Sequence, residues 1–192
     1  SVGKPMVRFD RMKTSTATTG MVCFTPATTS ADVKTWSVTF PTGFTVSTTA
    51  ANWQSGNITT TNLPSGATAW PNVTSATAVA SSQTVTWTNG TAQTMTSGVQ
   101  YCYNWASTAA ITTASSANPN LTGSMGTKNS SAVDIDTGAY ATATISDDQI
   151  QVTATVPALF SFALSGNSDP LGTLSTGSVA TSGTPITATV NT

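Results

Sequence analysis

The residues of this 192-residue chain that could do chemistry are few, and the most useful types are missing. Neither histidine nor glutamate occurs. That removes the commonest general base and the commonest metal ligand. Serine and threonine are abundant, but a hydroxyl is a weak nucleophile until a neighbouring base activates it. Lys34 or Lys128 is a conceivable base for a Ser–Lys pair, yet no motif surrounds either. The expectation is a protein without catalytic turnover.

Carboxylates offer a second kind of chemistry. All seven acidic residues are aspartate, and Asp134, Asp136, Asp147, Asp148 and Asp169 fall in the later part of the chain. If 133–136 is extended, Asp134 and Asp136 project to the same side. Asp147 and Asp148 sit in the turn between two strand-like runs. Asp134, Asp136, Asp147 and Asp148 could therefore supply hard oxygen ligands to Ca²⁺, although no EF-hand spacing is present. The plainer reading is turn chemistry, with aspartate side chains accepting from nearby backbone N–H groups. No other cofactor is expected. A Lys–Asn isopeptide bond is a further option in a surface sandwich; it needs a buried acid beside both partners.

Cys23 and Cys102 lie in strand-like runs, MVCF at 21–24 and VQYCY at 99–103. An even count predicts one disulfide closing a loop of about eighty residues, worth about 4 kcal/mol in the chain-entropy description. Joining an early strand to a late strand of a sandwich would suit it. Two buried free thiols are the alternative. Two cysteines without histidine are too few for zinc. N-x-Ser/Thr triplets at Asn57, Asn72, Asn89, Asn120 and Asn129 mark surface loops first, and glycan sites only where the machinery exists.

The elements that must hold these residues are strands. About a fifth of the chain is threonine and only 7% is charged, a composition suited to half-buried pleated surfaces. No long run has a helical apolar period. Alternating runs recur instead at 5–12, 20–25, 33–40, 43–48, 57–61, 83–88, 98–105, 139–145, 149–156, 159–165 and 184–190, separated by Gly, Pro, Asn and Ser. In 33–40, Trp36, Val38 and Phe40 share one face. In 149–156, Ile150, Val152, Ala154 and Val156 share one face, the pattern of a half-buried strand. The tryptophans at 36, 53, 70, 87 and 105 are about seventeen apart, one for each pair of strands. Core anchors are the bland reading. A sugar-stacking platform that exposes Trp53 and Trp70 is the sharper one.

Net charge is −1, so no global field draws the chain to nucleic acid or to anionic membrane. No stretch of eighteen apolar residues could span a bilayer. The start at Ser-Val-Gly carries no n-region or h-region, and the expectation is that any signal peptide has been removed. Four of the six basic residues lie in the first thirteen positions, either as an arm that docks on a partner or as charges that blunt a strand edge.

Several segments in order carry a resemblance: RFDRMKTSTATTGMVCFTPATT, VTFPTGFTVSTTAANW, TTNLPSGATAWP, YCYNW, SDDQIQVTATVP and FSFALSGNSDPLGTLSTGSV. Together they resemble a group of Thr-rich secreted surface proteins of candidate-phyla (patescibacterial) bacteria. The resemblance covers nearly the whole chain. It implies export and a β-sandwich outside the cell, in chains that often continue past such a segment.

The chain is thus read as all-β: an immunoglobulin-like antiparallel β-sandwich with additional C-terminal strands. Residues 1–19 form an N-terminal arm and candidate donor strand, 20–156 the sandwich, and 157–192 a C-terminal strand region. The expected role is a structural subunit of an extracellular filament or surface layer, its partner being other copies of itself. Val7 and Phe9, or Ile186, Ala188 and Val190, would anchor a strand that completes a neighbour's sheet. The alternative is a monomeric adhesin or carbohydrate-binding module using exposed tryptophan, with a glycan as partner.

Overall fold

A computed structural model describes residues 3–155 and 161–191. The chain divides into two compact units, Ser1–Gln149 and Ile150–Thr192.

The first unit is the antiparallel β-sandwich that the sequence predicts. Its first sheet holds β1 (Gly3–Phe9), β3 (Gly20–Thr25) and β10 (Tyr101–Trp105), with β6 (Ile58–Thr59) and β7 (Thr68–Ala69) along the far side of β10. Its second sheet runs β13 (Asp134–Thr144), β12 (Asn118–Lys128), β4 (Ser30–Thr39), β9 (Thr84–Met95) and β8 (Thr77–Ser81). A small third sheet pairs β11 (Ile111–Thr112) with β2 (Ala17–Thr18) and β5 (Thr45–Val46).

Alternation decides which side chains meet between the sheets. Val7, Val22 and Tyr103 lie in one row across the first sheet, and all three are buried. Trp36 and Trp87 lie directly opposite each other on the second sheet, their rings parallel at 6.0 Å. Trp53 enters from a 3₁₀ turn (Ala50–Trp53), and Trp70 follows β7. Indole N–H groups that leave water need acceptors. Trp87 Nε1 donates to the Trp53 carbonyl at 2.7 Å, Trp53 Nε1 to Ser47 at 2.9 Å, and Trp105 Nε1 to Thr18 at 3.1 Å.

Two glycines let large rings cross the backbone. Gly20 stands between Phe9 and Trp105 in its row, and those rings meet edge to face at 5.7 Å. A Cβ at Gly20 would lie 2.2 Å from the Trp105 ring. Gly123 lies opposite Tyr140, whose ring passes over it so that the hydroxyl donates to the Thr39 carbonyl at 3.1 Å. A Cβ there would lie 2.3 Å from that ring.

Cys23 and Cys102 form the expected disulfide, with Cα atoms 4.3 Å apart. They are directly paired neighbours in the first sheet, so the bridge staples β3 to β10 side by side and does not cross the sandwich. It points away from the main core. There Met21, with Met6, Leu63 and Ala67 packed around it, makes a small satellite cluster.

Among the described residues the second unit contains one hairpin, β14 (Ser161–Leu164) paired with β15 (Ala188–Asn191). These are the additional C-terminal strands. The strand expected over 149–156 is not formed: residues 149–155 have no regular structure. Val156 and the boundary expected at Pro157 lie outside the described residues. The strand expected over 184–190 is confined to Ala188–Asn191, so Ile186 precedes it.

Candidate functional site

The chain leaves the sandwich through a pinned exit. Ile145 donates from its backbone N–H to Met12, and its carbonyl accepts from Thr14, both at 2.9 Å. Arg11 then grips Asp148 with two hydrogen bonds of 2.8 Å, and Lys13 lies 3.6 Å from Asp147. The hydrogen bond from Arg11 holds the Asp148 carboxyl below its ordinary pKa, and the same contact raises that of Arg11. Asp147 also accepts from the Gln149 backbone N–H at 3.1 Å, the turn chemistry expected of it.

Past this point burial stops. No described residue after Thr144 is buried. Of the eleven exposed large apolar side chains among the described residues, eight follow Gln149, among them Ile150, Val152, Phe162 and Val190. Ile150 is 91% exposed and Val152 85%. A two-stranded hairpin has no second layer on which to bury such groups and is marginal alone. The alternating apolar residues of 149–155 and those of the hairpin are therefore exposed among the described residues.

The sequence-predicted positions are scattered. Val7 and Phe9 are buried in their own sandwich, because β1 pairs with β3 of the same chain. Ile186 is half-buried, Ala188 exposed, and Val190 lies opposite Phe162 in the hairpin. The candidate calcium ligands do not converge. Asp134 pairs with Lys128 at 2.7 Å on the surface. Asp136 is buried and accepts from the Ala27 and Thr28 backbone N–H groups at 3.1 and 2.9 Å, fastening the loop after β3. A register shift sets Thr127 opposite Asp136 but Lys128 opposite Asp134, so the two aspartates do not share a side as a regular strand would require. Asp169 is exposed in the second unit. Among the described residues, no three metal-ligating side chains of the His, Cys, Asp or Glu type gather.

All five tryptophans are buried, which corrects the platform reading of Trp53 and Trp70 and bears out the core reading. Among the sequons, Asn72 and Asn120 are exposed and Asn57 and Asn129 half-buried. Asn89 is buried at the inner face of β9 and is no glycan acceptor in this fold. Lys34 donates to the Gly90 carbonyl at 2.5 Å, and Lys128 is engaged with Asp134, so neither lysine stands beside a buried acid and an asparagine in the way an isopeptide bond needs.

One concavity is open on the first sheet. It measures about 280 Å³ and is lined by Arg8, Asp10, Thr59, Asn62 and Asn104 among others. Its polar groups largely satisfy each other: Arg8 bonds Asp10 at 3.2 Å, Thr19 donates to Asp10 at 2.5 Å, and Asn104 donates to the Thr61 carbonyl at 2.7 Å.

No helix among the described residues is long and apolar enough to cross a membrane. No protein-family profile matches the chain, and no curated protein matches it either.

Proposed function

We propose that this chain is a non-catalytic structural subunit of an extracellular filament or surface layer, joined to other copies of itself by β-strand complementation. One observation supports the reading: a well-buried sandwich continues into a unit whose described apolar residues, in runs with strand-like alternation, are exposed. Burying each such side chain contributes about 1.5–3 kcal/mol, which offsets the cost of ordering the segment and joining two copies. The disulfide supports an oxidising compartment, and the resemblance to secreted surface proteins supports export. The donor role moves from the N-terminal strand, which is committed to its own sheet, to the C-terminal unit.

Sedimentation and negative-stain electron microscopy of the 192-residue chain and of a chain ending at Gln149 test the reading. The longer protein should assemble and the shorter remain monomeric with its fold intact. A monomeric full chain at high concentration rejects the proposal.

The competing reading, a monomeric carbohydrate-binding module, loses its tryptophans and retains only the polar cleft around Arg8 and Asn104. Glycan-array binding that Asn104→Ala abolishes would favour it.

A further inference from the structure

Resting on that assembly reading, we propose a specific joint: residues 149–155 of one copy add to the free edge of β8 in the next. The reasoning begins with the edges. A strand at the end of a sheet presents unpaired backbone groups, and proteins guard such edges with charge, proline, bulges or brevity.

Most edges of this sandwich are guarded. The outer strand β1 carries Lys4, Pro5 and Arg8. At the other side of that sheet, β6 and β7 are two residues long. The third sheet is built entirely of two-residue strands. In the second sheet, β13 carries Asp134 and Asp136 and a register shift beside them. β8 differs. Its sequence, TAVAS, has no charge and no proline, and it pairs with β9 alone. Val79 on its outer face is 63% exposed. Its inner-face residues are small, Ala78 buried and Ala80 half-buried, and the 3₁₀ turn Ala50–Trp53 packs close to them, while no strand pairs with the outer edge. In the C-terminal unit β14 and β15 are also uncharged, but no described residue behind them is buried, so a strand added there extends no core.

The donor matches that edge. Residues 149–155, QIQVTAT, are uncharged, rich in strand formers and exposed. Ile150, Val152 and Ala154 would share the side of Ala78 and Ala80 and extend the inner face of the sheet past β8. Gln151, Thr153 and Thr155 would continue an outer face already lined by threonine, where Thr39 and Thr84 bond across the strands at 2.8 Å. The Arg11–Asp148 clamp fixes where this segment begins. Because donor and acceptor are different surfaces of one chain, the contact is head-to-tail and propagates as an open polymer unless its rotation happens to close a ring.

Mixing chains that each carry one added cysteine beside the native Cys23–Cys102 bond tests the pairing directly. A Val79→Cys chain mixed with a Gln151→Cys or Thr153→Cys chain should give a disulfide-linked heterodimer on a non-reducing gel. An Ala139→Cys chain, placing the thiol on the opposite edge strand, should not. Separately, Val79→Lys with Ser81→Lys should lower the sedimenting fraction about tenfold or more while the melting of the sandwich is unchanged. Cross-linking through Ala139→Cys and not Val79→Cys, or undiminished assembly of the lysine variant, overturns this joint and leaves the assembly reading standing. A parent chain that never assembles overturns both.

Discussion

The two units of this chain are written in nearly the same alphabet, and among the described residues only the first buries a core. Both are rich in Thr, Ser, Ala and Gly, and both contain alternating runs. The sandwich unit holds all five tryptophans, all three tyrosines and four of the six phenylalanines. Those rings interlock, with Trp53 in contact with Phe40, Trp87 and Trp105 at centroid distances of 5.6, 6.0 and 6.4 Å. In the C-terminal unit, Phe162 is 56% exposed. Alternation supplies the tendency to be a strand; bulky anchors from a second layer convert that tendency into a buried interior.

The largest test of this contrast is truncation of an anchor. Trp87→Ala should cost the sandwich about 3–5 kcal/mol in a denaturant titration, because the cavity sits among rings that cannot collapse together. Phe162→Ala should leave that transition within about 0.5 kcal/mol. Equal losses would break the comparison. Replacing both Cys23 and Cys102 with Ser should cost about 2–5 kcal/mol and leave the second unit's own signals unmoved, measured by the same titration with segment-specific hydrogen exchange. Gly123→Ala should cost about 1–3 kcal/mol by forcing Tyr140 off its path, and Tyr140→Ala in the same chain should recover part of it.

Smaller still is the effect of turning the tail polar. Ile150→Thr with Val152→Thr should shift the unfolding midpoint of the sandwich within about 0.5 kcal/mol, yet abolish sedimentation of assemblies. The smallest effect belongs to the exit clamp. Arg11 depresses the Asp148 pKa in the folded chain, so its contribution is present above the ordinary carboxylate value of about 3.9 and disappears as pH falls through the lower folded value. Amide exchange at 145–149 should accelerate there, while exchange of β4 and β9 stays slow.

Much of the sandwich was legible because its chemistry is local. MVCFT declares a strand by its β-branched and aromatic residues, and Gly20–Thr25 is where β3 runs. Trp36, Val38 and Phe40 share a face as alternation requires, and all are buried. The cysteine pair was readable from its count and setting, but which layers it joins was not, since that depends on strand order. NPNLTGSMGTK was not recognised as a strand, because Asn, Pro, Gly and Ser argue against one. It becomes β12, interior to its sheet, because neighbours on both sides supply what its own propensity lacks, and Gly123 is required by a ring from β13. Asp134 and Asp136 were misplaced by a register shift that period-two reasoning does not contain.

The candidate site was half visible. The amphipathic pattern of 149–156 was plain, and it implied burial; burial, however, requires a facing layer, and periodicity carries no information about whether one exists. Asn89 shows the converse. Its triplet reads as a surface turn, while the preceding run Val85, Trp87, Asn89 carries it inward on the same face as the core.

The placement of the disulfide has a mechanical consequence. A tether pulling on both ends of the chain would pass its load through the Cys23–Cys102 bond, so the 79 residues of separation between them are bypassed. At an extended length of about 3.4 Å per residue, roughly 270 Å of slack is locked away from tension. Only the residues before Cys23 and after Cys102 can be drawn out by stretching, so Trp36, Trp53, Trp70 and Trp87 stay within a closed loop whose extension the bond prevents.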